Sequence, residues 1–102
     1  MKKVICSDKA PGAIGPYSQA IEANGMVFVS GQLPIDAATG LMPDGVEAQA
    51  RQSLENIKHI LEAAGLTMSD IVKTTVFLQD MSLFAGMNGV YATYFEGAFP
   101  AR

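Results

Sequence analysis

The chain has 102 residues, of which 49% are hydrophobic, which is enough for one domain with a buried core and too few for two domains. Seven basic residues against ten acidic residues give a formal net charge of −3, and no more than two Lys or Arg residues stand together at any point. This balance argues against an electrostatic grip on nucleic acid or on an anionic membrane, but leaves a local basic pocket for a small anion open.

The chain contains one cysteine, Cys6, and one histidine, His59. A disulfide framework or a Cys/His zinc site within a single chain is therefore not expected. No glycine-rich phosphate loop, pair of metal carboxylates or Ser-His-Asp set can be assembled, so we expect no cofactor. The N-terminus lacks the apolar run of a secretory signal, and no segment approaches the length of a membrane span. We therefore expect a cytoplasmic protein, or one of another reducing compartment.

The first part of the chain is predicted to form strands. Residues 2–6 suit a short first strand, and a loop rich in Gly and Pro then ends at Tyr17. Two apolar segments, residues 20–23 and 26–29, flank Asn24-Gly25. Since both central residues of a two-residue hairpin turn need a positive φ, Asn-Gly predicts a β-hairpin at this point.

A long helix is predicted after the hairpin. Asp44 and Glu47 have the spacing of a capping box, and Gly65 followed by Leu66 is typical of a helix end. Between them, apolar residues recur at steps of three and four, which predicts one apolar helix face. These residues are Val46, Ala50, Leu54, Ile57, Leu61 and Ala64.

A further strand and a second helix are predicted in the last third of the chain. Residues 72–79 are rich in β-branched and aromatic residues, which favour a strand. A second helix, capped by Ser82, is expected to end before Pro100. Its apolar side would carry Phe84, Met87, Tyr91 and Tyr94 or Phe95.

These elements predict an α+β fold and an oligomer. The strand at residues 26–29 has no polar residue, so both of its faces favour burial. Two helices can cover one face of a sheet of three or four strands. A second copy of the chain is the simplest cover for the opposite face, which predicts a homo-oligomer.

With these elements placed, the chain resembles the reactive-intermediate deaminase A family, also called the RidA/YjgF family. The similarity runs over essentially the whole chain in the family's order and spacing. The matching segments are AIGPYSQA at residues 13–20, VSGQLP at 29–34, QARQSLEN at 49–56, VKTTVFL at 72–78, then Phe84, Asn88 and Tyr91, and FPAR at 99–102.

The resemblance implies a chorismate-mutase-like fold, with a mixed sheet packed by two helices. Residues 1–102 would form one RidA-like domain. Three subunits would join their sheets into a central barrel, with ligand sites in the clefts between subunits. Members of the family continue past the Pro-Ala-Arg motif with two strands that carry a carboxylate for handling the attacking water. Residues 1–102 are therefore expected to lack these strands.

The implied activity is that of a 2-iminobutanoate/2-iminopropanoate deaminase, a hydrolase that acts on C–N bonds. Its substrates would be 2-aminoacrylate, as the imine tautomer 2-iminopropanoate, and 2-iminobutanoate. The products would be 2-oxo acids and ammonia. Pyridoxal-phosphate-dependent dehydratases release such reactive intermediates, and their removal protects other enzymes.

Arg102 is the candidate for holding the substrate. A guanidinium can bind a carboxylate through two parallel hydrogen bonds, which Lys cannot reproduce. Arg102 follows a helix-ending Pro and would begin the next strand. From the residues alone, a solvated surface arginine is the more frequent case, and the resemblance favours the ligand role.

Four other residues complete the expected site, of which Tyr17 is a catalytic candidate beside Arg102. The hydroxyl of Tyr17 could contact substrate or water, although a loop aromatic that closes the core is an equal alternative. Gly31 would permit close approach of a ligand, and Ser30 either binds it or caps the strand end. Asn88 is a poor helix former in mid-helix, which a ligand contact would explain, although an exposed Asn is more frequent. Phe84 and Tyr91 are assigned to the core.

Two other classes of function stay open. A binding or regulatory protein would capture 2-oxo acids in the same cleft without turnover. A role as endoribonuclease or translation inhibitor is also attributed to relatives. The acidic balance, the single His and the absence of a basic aromatic surface speak against RNA.

Overall fold

Three short strands and two helices account for the regular structure, as expected for an α+β chain. The computed structural model describes all residues from Met1 to Arg102. The α+β class and the packing by two helices are confirmed. The elements are β1 (Lys3–Ile5), β2 (Ala20–Ala23), β3 (Met26–Val29), α1 (Val46–Ala63) and α2 (Phe84–Ala92), with single 3₁₀ turns at Met68–Asp70 and Met81–Leu83.

The strands form one antiparallel sheet in the order β1-β2-β3. Asn24 and Gly25 have φ angles of 52° and 73°, the left-handed values that a two-residue hairpin turn of this twist requires. The predicted hairpin is confirmed, with Ala23 paired to Met26 beside the turn.

One face of the sheet packs on α1. Ile5, Ala20 and Val29 lie in register across the three strands. Ile5 and Ala20 are buried and form a small core with the fully buried Ile60 of α1, against which Val29 also packs. This row fixes how the sheet lies on the helix.

The opposite face of the sheet, termed here the outer face, is open. Its register row contains Val4, Ile21 and Phe28. Val4 is 58% exposed, Phe28 is 60% exposed and Met26 is 47% exposed. Only 13 of the 102 residues are buried in all, so a single chain leaves much of its apolar surface uncovered. The predicted uncovered sheet face is present.

Helix α1 ends as predicted but begins differently. Gly65 has φ 76°, and its N–H donates to the carbonyl of Glu62 while that of Leu66 donates to Leu61, which is a Schellman motif. At the other end the expected capping box is wrong. Gly45 is the N-cap, at φ 88°, and no side chain caps the helix. The positive φ of Gly45 turns the chain sharply into the helix without a side-chain cap.

Helix α2 follows directly on the 3₁₀ turn at Met81–Leu83. The expected cap by Ser82 is wrong, because the carboxylate of Asp80 accepts a hydrogen bond of 2.8 Å from the backbone N–H of Ser82. The cap therefore lies two residues earlier and initiates the 3₁₀ turn.

The main core lies between the two helices. It joins the apolar face of α1 to that of α2, and Phe95 belongs to it although it follows the end of α2. Its buried members are Leu54, Leu61, Met68, Met87, Val90, Tyr91 and Phe95.

The strand predicted at residues 72–79 forms only one isolated parallel bridge, between Lys73 and Ala101. Thr74 donates its N–H to the carbonyl of Ala101, and Ala101 donates to that of Val72. A ladder needs a neighbouring strand along its length, and residues 72–79 pair in this structure only at Ala101. No helix is both long and apolar enough to cross a membrane.

Candidate active site

Arg102 lies over two aromatic rings of α2. The Cζ atom of its guanidinium is 4.7 Å from the ring centroid of Tyr91 and 5.5 Å from that of Phe84. Both distances lie within the range of a cation–π contact, for which about 0.5–2 kcal/mol is typical depending on exposure. These two rings, termed here the aromatic seat, lie against the guanidinium. The N–H donors of a guanidinium lie in its own plane, and a cation–π contact uses none of them as a hydrogen bond.

The backbone before Arg102 is held by its bridge to residues 72–74. Ala101 accepts from the N–H of Thr74 at 2.8 Å and donates to the carbonyl of Val72 at 3.0 Å. Pro100 precedes this bridge with a fixed φ. The two hydrogen bonds and the aromatic seat therefore place a flexible side chain in one region.

Asn88 shares a strip of α2 with the aromatic seat. It stands four residues after Phe84 and three before Tyr91, a spacing that puts all three side chains on one side of a helix. Asn88 is half-buried. The structure thus brings two predicted site residues, Arg102 and Asn88, to the same side of one helix.

The other predicted site residues gather at the end of the hairpin. The hydroxyl of Ser30 donates to the carbonyl of Ser18 at 2.7 Å, and its N–H donates to the carbonyl of Gln19 at 2.9 Å. The half-exposed Tyr17 precedes this pair and Gly31 follows it. An added β-carbon on Gly31 would meet nothing within 4 Å, so backbone there is open to approach.

Gln19 organises this corner and was not singled out from the sequence. It is 4% exposed, and its side-chain amide makes four hydrogen bonds. Its oxygen accepts from the N–H of Ser7, and its nitrogen donates to the carbonyls of Ser7, Ala10 and Pro11. Through these four hydrogen bonds, the buried amide of Gln19 joins residues 7–11 of the N-terminal loop to the segment that contains Tyr17. The feature of the sequence that could have indicated this role is the position of Gln19, a long polar residue directly before an apolar strand.

Asn56 of α1 likewise holds a loop in place, in this case the segment that follows Gly31. It has no exposed surface, and its amide nitrogen donates to the carbonyls of Leu33 and Ile35. Its amide oxygen accepts from Gln52. The signal in the sequence was an Asn one helical turn before the apolar Ile60, on the face that α1 buries.

The predicted site residues therefore form two groups within one chain. Arg102 and Asn88 lie with the aromatic seat, and Tyr17, Ser30 and Gly31 lie at the hairpin end. No hydrogen bond or ring contact joins the two groups. Phe84 and Tyr91 were both assigned to the core, but both rings lie under the guanidinium. Tyr91 is also a buried member of the main core, whereas the core assignment of Phe84 is wrong, because this side chain is 39% exposed and outside that cluster.

The shifted pKa values lie outside both groups. Desolvation and a hydrogen bond to Glu55 raise the pKa of Tyr94 to about 12. The backbone hydrogen bond from Ser82 lowers the pKa of Asp80. Tyr94 donates to a carboxylate oxygen of Glu55 at 2.6 Å, which joins the chain after α2 to α1. Both pKa shifts therefore arise from contacts that hold the fold together, outside the candidate site.

Two shallow depressions occur on the helical side of the chain. One lies between α1 and α2 beside Gly86 and Gly89. The other lies beside Asp36 and His59, whose ring nitrogen Nδ1 bonds to the carbonyl of Lys9. Neither is lined by Arg102 or by the hairpin end, so neither coincides with the candidate site.

Comparisons with known proteins agree with this fold. A protein of Salmonella typhimurium named 2-iminobutanoate/2-iminopropanoate deaminase is 52% identical over 105 residues, covering 100% of this chain and 82% of the relative. The crystal structure of Escherichia coli TdcF with bound serine matches with a TM-score of 0.94 at 48% identity, covering 98% of this chain and 81% of that one. The YjgF gene product of E. coli matches with a TM-score of 0.94 at 50% identity, with the same coverage.

The profile of the family described as Endoribonuclease L-PSP matches residues 7–102, which is nearly the whole chain. This family includes the YjgF protein whose structure the chain shares. The chain therefore belongs to the endoribonuclease L-PSP family, the group also called RidA/YjgF.

Proposed function

We propose that this protein hydrolyses 2-imino acids, chiefly 2-iminopropanoate and 2-iminobutanoate, to 2-oxo acids and ammonia. The observation that carries the proposal is the guanidinium of Arg102 held against the aromatic seat, in a chain 52% identical to a deaminase of that name. The serine bound by TdcF is likewise a small molecule with a carboxylate beside the carbon that carries its nitrogen.

Substrate binding is assigned to Arg102. A 2-imino acid presents a planar carboxylate, and a guanidinium can meet it edge to edge through two hydrogen bonds. Because a cation–π contact uses none of the N–H groups as a hydrogen bond, the aromatic seat leaves the donors of Arg102 to the ligand. Asn88, on the same side of α2, is placed to add an amide contact.

Catalysis by this site requires little besides positioning. Water adds to the imine carbon, the C–N bond then breaks, and the nitrogen leaves as ammonia while the carbon keeps the oxygen of water. We assign proton transfer to and from the nitrogen to the hydroxyl of Tyr17, which is half-exposed at the hairpin end. Ser30 and Gly31 would form the wall beside the reacting carbon.

The two groups of site residues are proposed to meet across a subunit boundary. The outer face exposes Val4, Met26 and Phe28, and burying such a patch favours association. A homotrimer that joins three outer faces would complete a cleft from Arg102 of one subunit and Tyr17 of the next. We place this enzyme in the cytoplasm, where dehydratases release its substrates.

The function is tested by coupling the protein to a threonine dehydratase and following the release of 2-oxobutanoate while semicarbazide competes for the imine. We expect acceleration by the unsubstituted protein. Arg102→Ala should raise KM roughly 10- to 100-fold, the equivalent of one charge-assisted contact. Arg51→Ala removes an exposed guanidinium from α1 and is the matched control, expected to leave activity unchanged. Full activity of Arg102→Ala would contradict the assignment.

RNA cleavage is a second candidate, because the matching family is described as an endoribonuclease. The net charge of −3 and the single His speak against it. RNA binding that weakens steeply with salt, together with cleavage that Arg102→Ala abolishes, would favour this second function over deamination.

A further inference from the structure

We propose that Thr74 is a positioning residue for Arg102, acting through the ring of Tyr91 and through the backbone of Ala101. The inference rests on the proposed function, in which the guanidinium of Arg102 receives the substrate carboxylate. Thr74 is assigned no contact with the ligand. It supports both structures that locate the guanidinium.

The first support is the hydroxyl of Thr74. It shares a hydrogen bond of 2.7 Å with the hydroxyl of Tyr91. The body of Tyr91 is buried in the main core, with 5% of its surface exposed, and its ring packs against Phe95 with centroids 4.8 Å apart. A ring held by packing along its body and by a hydrogen bond at its far end keeps one tilt.

The second support is the backbone of Thr74. Its N–H donates to the carbonyl of Ala101 at 2.8 Å, in the residue directly before Arg102. The same residue therefore holds the peptide from which the Arg102 side chain starts and the ring on which that side chain ends. No other residue of the chain makes both of these connections.

Tyr91 is the ring of the aromatic seat that such a support can control. It is the nearer of the two rings, at 4.7 Å against 5.5 Å for Phe84. Phe84 has no hydroxyl to anchor it and is 39% exposed. The orientation of the guanidinium consequently depends on Tyr91, and through it on Thr74.

Orientation has a direct effect on carboxylate binding. An arginine side chain has several rotatable bonds, and a ligand that must first order them binds more weakly. Two parallel hydrogen bonds also tolerate little error in the plane of the guanidinium. Loss of the Thr74 hydroxyl should therefore weaken substrate binding more than it slows the chemical step.

The test compares Thr74→Val with Tyr91→Phe, which delete the same hydrogen bond from opposite sides. Each is expected to raise KM for 2-iminobutanoate about 5- to 10-fold, as expected for one neutral hydrogen bond, with kcat changed less than about twofold. Because both substitutions delete the same hydrogen bond, the KM of the double variant should not exceed the higher KM of the two single variants. Thr74→Ser restores a hydroxyl and should recover most of the affinity.

The matched control is Thr75→Val, which removes the hydroxyl of the exposed neighbour of Thr74. That hydroxyl meets only the Lys73 ammonium, at 3.4 Å. Its KM should equal that of the unsubstituted protein. An equal rise in KM for Thr75→Val and Thr74→Val would overturn the inference, as would an unchanged KM for both Thr74→Val and Tyr91→Phe.

A second readout does not depend on turnover. The ring of Tyr91 should shift the nuclear magnetic resonance signal of the Arg102 side-chain Nε–H, and Thr74→Val should move that signal toward the value of a free arginine. If the unsubstituted protein neither hydrolyses imines nor binds 2-oxobutanoate, the proposed function fails. The Arg102 signal then decides the positioning role by itself, and an unmoved signal in Thr74→Val and in Tyr91→Phe refutes it.

Discussion

Gly86 of α2 lies directly against Val46, the first residue of α1. A β-carbon built on Gly86 would come within 2.9 Å of Cγ1 of Val46, closer than two carbons pack. Gly89, one turn later on the same helix, would meet nothing within 4 Å. Two glycines that weaken the helix equally by propensity therefore differ in what the tertiary structure requires of them.

This pair predicts opposite effects of the same substitution. Gly89→Ala should stabilise the protein by about 0.5–1 kcal/mol, because Ala favours the helix and no contact opposes it. Gly86→Ala should give no gain or a net loss, since the β-branched Val46 has little rotamer freedom to move away. Urea denaturation of both variants measures the difference. Equal stabilisation by Gly86→Ala and Gly89→Ala would contradict this prediction, because it would show that α2 can move away from Val46 of α1 at no cost.

Asn56 should be a costly polar residue to replace. Asn56→Leu deletes the donor to the carbonyls of Leu33 and Ile35. The carbonyl of Leu33 keeps the backbone N–H of Ile35 at 2.8 Å, whereas the carbonyl of Ile35 loses its partner. A loss of about 1–3 kcal/mol is expected for each acceptor that water cannot reach. Thermal unfolding followed by circular dichroism checks this.

Gln52→Ala is the control for Asn56, because it removes only the bond that Asn56 accepts at the edge of the helix. It should cost well under half as much as Asn56→Leu. A similar loss of stability in both variants would show that the Gln52–Asn56 bond, and not the bonds of Asn56 to the loop, stabilises the fold.

The pKa of Tyr94 predicts a loss of stability at high pH. Burial and the bond to Glu55 raise it from 10.0 to about 12, so the folded state holds this proton more tightly than the unfolded state. Its contribution to stability is complete below pH 10.0 and declines as the pH rises toward about 12. The slope of unfolding free energy against pH in this window should therefore be smaller in Tyr94→Phe. Urea denaturation across the window measures it, and an identical slope would contradict the assignment.

The outer face predicts an assembly that one charge can disrupt. Phe28 is 60% exposed in the single chain, and Phe28→Glu would place a carboxylate in any interface built on this face. We expect the unsubstituted protein to sediment at about three times the 10.8 kDa chain mass and the variant to sediment as a monomer. Ala48→Glu, on the exposed side of α1, is the control that should keep the assembly. A trimer that survives Phe28→Glu would move the interface elsewhere.

The elements that sequence alone predicted are those whose causes are local. Asn24-Gly25 adopts two positive φ angles because of what these residues are, and the hairpin follows. The apolar steps of α1 and the Schellman motif at Gly65 likewise involve neighbours within a few residues. The family resemblance then selected Arg102, Tyr17, Ser30, Gly31 and Asn88 as site residues, and this assignment stays a prediction.

Only the tertiary structure decided features whose partners are distant in the chain. The two helix caps are an exception, because they were predicted wrongly although Gly45 and Asp80 act within two residues of their own position. The segment at residues 72–79 forms one bridge, because pairing depends on what lies beside it and not on its own composition. The buried amide of Gln19 could not be assigned without knowing which carbonyls face it.

The candidate site divides in the same way between sequence and structure. The family resemblance points to Arg102 as a guanidinium for a small acid, whereas its residue type alone favoured a solvated surface arginine. The seat beneath it comes from Tyr91 and Phe84 of α2, and its support comes from Thr74. The orientation of the Arg102 guanidinium depends on contacts between segments that are distant in the sequence. It is therefore known only from the folded structure.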